Sequence, residues 1–132
     1  MLDVRWAREH PDALDAAMTK RGAEAVSAAV LALDTKRRSA QTRFQELQSA
    51  RRDASKAIGQ AKAKGEDASA AMAAVAKLKD DAAATEAEAK QASDALDALL
   101  ATLPNPPADD VPPGANEDDN VFVRENGTPR AF

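Results

Sequence analysis

Two series of mostly apolar positions, each alternating steps of four and three residues, constrain this chain more than any other feature of it. The first runs Val26, Val30, Leu33, Arg37, Ala40, Phe44, Leu47, Arg51, Ala54, Ile58 and Ala61. The second runs Ala68, Ala71, Val75, Leu78, Ala82, Thr85, Ala89, Ala92, Leu96, Leu99 and Leu103. Steps averaging three and a half residues keep a stripe on one side of an α-helix, which is the seam of a coiled coil. Between the series, Lys64-Gly65-Glu66-Asp67 supplies a glycine turn and a capping acid for the next helix. Folded back there, residues whose numbers sum to 129 meet, so that Val26 faces Leu103, Leu33 faces Leu96 and Ile58 faces Ala71. The expected fold is all-α, a long antiparallel two-helix coiled-coil hairpin. At 1.5 Å per residue the segment 26–61 is about 50 Å long. An arm with one buried seam projects into solvent and offers a long surface without an enclosed pocket.

The flanks divide the chain into three parts. Residues 1–22 read as a short helical base: Asp3 caps one helix, Pro11 with Asp12 opens a second, and Gly22 stops it. Trp6, Leu14 and Met18 are the expected core of that base, and His10 sits at the helix junction. Residues 23–103 form the hairpin, with its tip near 62–67. Residues 104–132 hold six of the seven prolines and read as an irregular tail. Val121, Phe122 and Val123 are expected to form one short strand in need of a partner.

Composition excludes much chemistry. Of 132 residues 33 are alanine and only 3% are aromatic, which suits helix and not the bulky core of a small α/β enzyme. There is no cysteine and one histidine, so disulfides, thiolate sites and histidine metal clusters are out of reach. No apolar run is long enough to span a membrane and the charged N-terminus is no signal peptide, so a soluble cytoplasmic protein is expected. The chain lacks a phosphate-binding glycine loop, a nucleophile elbow and a zinc-protease helix. The adjacent acid pairs Asp80/Asp81 and Asp118/Asp119 point in different directions, and no catalytic or metal site is expected.

Charge is the informative property. The net charge of −4 conceals a basic segment: residues 20–64 carry eleven basic and four acidic side chains, whereas 65–103 carry three and eight. Such asymmetry has two readings, attraction between the arms of the hairpin or an outside polyanion. Aromatic side chains do not interleave with the basic ones, so base stacking is not expected and contact with a phosphate backbone suits the set better. Arg37 and Arg51 occupy seam positions, where pairing with acids of the second arm and contact with nucleic acid are both open.

Several of these segments resemble the N-terminal arm of the seryl-tRNA synthetases. The opening MLDVRWAREHPDAL, Lys20-Arg21-Gly22, LDTKRR at 33–38, RRDASKAIGQ at 51–60 and the tip at Lys62, Lys64 and Gly65 are similar to that family's motifs. So are Leu103-Pro104-Asn105-Pro106, Val111-Pro112, Gly114, Glu117, Asp119-Asn120, Val123, Gly127 and Pro129-Arg130 with Phe132. The resemblance covers the chain from end to end. Arg52 departs from it, standing where asparagine is usual. The resemblance implies an arm that embraces the long variable arm and elbow of tRNA-Ser. It implies candidate contacts at Arg38, Arg43, Arg51, Lys56, Lys62 and Lys64, with Arg52 added on charge alone. It further implies that the class II catalytic domain, with ATP and magnesium, would begin after Phe132, that the chain itself needs no cofactor, and that the parent enzyme is a homodimer. The competing expectation is a structural coiled-coil module that associates with protein and binds no RNA.

Overall fold

The computed structural model of the chain describes residues 2–128 and 130. Four α-helices follow in order: α1 Val4–Glu9, α2 Pro11–Lys20, α3 Ser27–Ala63 and α4 Ser69–Thr102. Helices α3 and α4, of 37 and 34 residues, pack antiparallel and are each over about 50 Å long. No strand forms among the described residues.

Each helix boundary has a local cause. The Asp3 carboxylate accepts the Arg5 N–H at 2.8 Å and opens α1. His10 ends α1 and begins α2, donating its backbone N–H to Trp6 while its ring stacks on the indole at 5.5 Å. Gly22 and Gly65, with φ of 69° and 73°, close α2 and α3 in the same way. After α2 the N–H groups of Gly22 and Ala23 donate to Thr19 and Met18; after α3 those of Gly65 and Glu66 donate to Lys62 and Ala61. This pair of reversed bonds is the Schellman arrangement, which needs the left-handed residue that glycine supplies.

Each arm is capped by an aspartate from outside its own helix. Asp67 accepts the Ser69 N–H at 2.9 Å and its hydroxyl at 3.0 Å. Asp15, on α2, reaches across to α3: one oxygen accepts the Val26 and Ser27 N–H groups at 2.8 Å, and the other accepts the Ser27 hydroxyl at 2.6 Å. The Ser27 hydroxyl and N–H hold the Asp15 carboxyl below its ordinary range, and the Ser69 N–H and hydroxyl do the same for Asp67.

Burial follows the seam. Every position of both series is buried or half-buried. The grade changes along the arm, however. Leu2, Ala7, Leu14, Met18, Val30, Leu96 and Leu100 form one buried cluster where α1 and α2 lie against the root of the hairpin, with Trp6, Val26, Leu33 and Leu103 packed on it. Leu96 belongs to that cluster, and Leu33, Val26 and Leu103 pack against it. Farther out, Phe44, Leu47, Ile58, Val75 and Leu78 are only half-buried.

The tail turns back at the base, where Lys20 donates to the Ala108 carbonyl at 3.5 Å. A single 3-10 turn, Glu117–Asp119, is held by Asn116, whose side chain accepts the Asp118 N–H at 2.9 Å. The expected strand at 121–123 does not form: these residues are exposed and no neighbouring strand among the described residues supplies ladder hydrogen bonds. Pro129 and Phe132, part of the tail resemblance, lie outside the described residues.

Candidate nucleic-acid interface

The seven basic residues singled out in the sequence all lie on α3 or its C-terminal cap. Arg38, Arg43, Arg52, Lys56, Lys62 and Lys64 are exposed, and Arg51 is half-buried in the seam. At 100° per residue, Arg38, Arg52 and Lys56 fall within about 40° of one another and define one outward line roughly 27 Å long. Arg43 lies about 140–180° around the helix from that line and Arg51 on the seam side, so the helix brings three of the seven together and spreads the others around its surface. Lys62 and Lys64 occupy the last turn and cap of α3, where the helix dipole favours positive charge.

What these side chains do not touch is as informative as where they sit. Four ion pairs exist among the described residues: Arg5–Glu9, Arg8–Asp34, Arg37–Asp34 and Lys90–Asp94. None of them joins α3 to α4, and none involves any of the seven. Attraction between oppositely charged arms is therefore not expressed as contacts, and the hairpin is held by its apolar seam. The basic side chains of α3 keep their positive field toward solvent, screened only by salt.

Arg37 corrects one expectation. Its partner is not an acid of the second arm but Asp34, one turn earlier on α3, at 2.7 Å. Asp34 is 1% exposed and also receives Arg8 of α1 at 3.4 Å. The carboxylate thus lies between two guanidiniums, with the Arg37 Nε buried and unpartnered. Sequence reasoning missed Asp34 because it stands beside the apolar series. An acid three residues before a seam arginine was the available signal. Arg51, the other seam arginine, forms no ion pair among the described residues.

The surface of the described residues offers open grooves. One groove runs between the arms past Gln41, Phe44, Glu86 and Lys90, and another lies on the outer side of α3. No group of three or more metal-ligating side chains occurs among the described residues, and no helix there is long and apolar enough to cross a membrane.

Comparison with known proteins gives this geometry a context. Residues 1–107 match the family described as the seryl-tRNA synthetase N-terminal domain. The chain is 50% identical over 132 residues to a serine–tRNA ligase of Paramagnetospirillum magneticum, covering 100% of the chain and 31% of that relative. It is 53% identical over 134 residues to the serine–tRNA ligase of Rhizorhabdus wittichii, covering 100% of the chain and 32% of the relative. In structure it is similar to the seryl-tRNA synthetase of Pyrococcus horikoshii complexed with ATP. The TM-score is 0.85 at 28% identity, over 93% of this chain and 28% of that one. The chain thus spans about a third of the length of the curated relatives it matches.

Proposed function

The chain belongs to the seryl-tRNA synthetase N-terminal domain family, and on that premise we propose that it is a tRNA-binding arm which recognises the long variable arm and elbow of tRNA-Ser. The observation that carries this reading is the set of seven basic side chains on one helix of a protruding hairpin, none of them in an ion pair among the described residues. A folded RNA presents phosphates along a curved surface, and long flexible cations reach them without reading base edges. The arm reads shape, and its reach of about 50 Å allows contact far from the base. Arg38, Arg52 and Lys56 supply the outward line, Arg43 and Arg51 cations elsewhere around the helix, and Lys62 and Lys64 the tip.

In this reading the arm holds the RNA while the rest of a longer synthetase attaches serine. In the same reading ATP and magnesium belong to the catalytic domain of such an enzyme, as the family resemblance implies. Dimerisation of the parent likewise belongs to that domain.

The test is binding of this chain to tRNA-Ser and to a tRNA with a short variable arm, at low and moderate salt. Preference for the long-armed tRNA, weakening with salt, supports the reading. Equal weak binding to both assigns discrimination to the remainder of the enzyme. Absence of binding at low salt, together with salt-insensitive self-association, would replace it with a structural coiled-coil module.

A further inference from the structure

Thr35, Arg38, Ser39, Thr42, Arg43 and Glu46 line one shallow depression on the outer surface of α3. Their spacing keeps them on one side of the helix over three turns, about 16 Å of its length. Two of them are arginines free of ion pairs among the described residues. The hydroxyls between them differ from the threonine hydroxyls on the other helices. A threonine within a helix commonly donates to a carbonyl of the preceding turn. Thr19 does so to Asp15 at 2.9 Å, Thr85 to Asp81 at 2.8 Å and Thr102 to Leu99 at 2.7 Å. Thr35 and Thr42 make no such bond among the described residues, nor does Ser39, and all three are exposed. Their donors are left for an outside acceptor.

Guanidiniums flanking uncommitted hydroxyls match the non-bridging oxygens of a phosphodiester: the arginines supply charged, forked donors and the hydroxyls neutral single ones. Glu46 closes the far end, since its carboxylate repels phosphate. We infer that this stripe is a backbone track for RNA, in which Thr35, Ser39 and Thr42 donate to phosphate oxygens held by Arg38 and Arg43 and the strand leaves the helix before Glu46. The inference rests on the RNA-binding function proposed above. It adds three uncharged contact residues that no inventory of positive charge would find.

Neutral donors and arginines leave different signatures. An arginine on a phosphate releases counterions and steepens the salt dependence, whereas a hydroxyl strengthens binding without changing the slope. The experiment titrates tRNA-Ser into the unmodified chain, a Thr35→Ala/Ser39→Ala/Thr42→Ala variant and an Arg38→Ala/Arg43→Ala variant across a range of salt. Alanine favours helix at these exposed sites, and circular dichroism melts verify that the arm persists. The hydroxyl variant is expected to bind about five- to tenfold more weakly at every salt concentration with its slope retained. The arginine variant is expected to lose affinity and about 1.5 from the slope. A hydroxyl variant that binds within about twofold of the unmodified chain overturns the track while leaving the RNA-binding function intact. So does one whose slope falls as the arginine variant's does. If the unmodified chain fails to bind at any salt concentration, the function itself falls, and the track with it.

Discussion

At the base of the molecule a side chain is held from several directions; along the arm it is held from one. Leu14 and Met18 are fully buried among α1, α2 and the root of the hairpin, whereas Ile58 and Leu47 meet only the opposite arm and remain half-buried. Polar interactions divide in the same way. The base has a buried carboxylate between two arginines and an aspartate that caps α3 from another helix, while Arg38, Arg43, Arg52 and Lys56 of the arm are exposed cations without ion pairs among the described residues. The difference teaches that the two ends are built differently: the base fixes the fold, and the arm carries a surface that its own contacts leave free, on which the proposed recognition rests.

The sharpest way to break this comparison is to remove matching groups from both ends. Leu14→Ala should cost about 3 kcal/mol in urea unfolding, and Ile58→Ala about 1 kcal/mol, because the second site was never fully closed to water. Equal costs would contradict the division. Asp34→Ala leaves the half-buried Arg37 without its partner and should destabilise by about 2 kcal/mol. Its exposed counterpart, Lys90→Ala, removes a pair whose side chains are 74% and 62% exposed and should change stability by no more than about 0.5 kcal/mol. At the tip, Gly65→Ala meets no atom but must hold φ of 73°. A local cost of about 1 kcal/mol is expected, read as faster amide exchange around the turn with little change in the base.

The smallest effect is expected in acid. Folding lowers the pKa of Asp15 and Asp67 from the ordinary 3.8. Their capping contribution is therefore complete above that value and is lost as pH falls through the folded-state values. Melting temperatures recorded from neutral pH down to pH ~2 should drop less steeply for Asp15→Asn than for the unmodified chain, because a neutral amide cannot be protonated there. Parallel acid limbs would show that the cap across α2 and α3 contributes nothing through its charge.

Much of this fold was legible in the residues, and the parts that were not share a cause. The seam, both glycine stops, the Asp3 and Asp67 caps and the Trp6–Leu14–Met18 base depend on spacing or on neighbours within a few residues. Sequence displays such features directly. Asp15 as a cap for α3 and Asp34 as the meeting point of Arg8 and Arg37 depend on how α1 and α2 lie against the hairpin, which no local pattern encodes. Val121–Phe122–Val123 misled for the opposite reason: β-branched and aromatic residues favour a strand, but propensity without a second strand makes no ladder. For the candidate interface, charge pointed to α3 and the family resemblance named Arg38 and not Arg37; the geometry adds that Arg37 is bound to Asp34 while Arg38 faces solvent one position later.

The most direct test reverses the arm's charge and leaves the base alone. The variant Arg43→Glu/Arg52→Glu/Lys56→Glu, changed only at exposed positions, would be titrated with tRNA-Ser over a range of salt, beside a melt that reports on the base. The expected result is a loss of about a hundredfold or more in affinity, a salt slope shallower by about two to three, and an unchanged melting temperature. A variant that binds as tightly as the unmodified chain, with the same slope, would contradict recognition through the unpaired cations of α3.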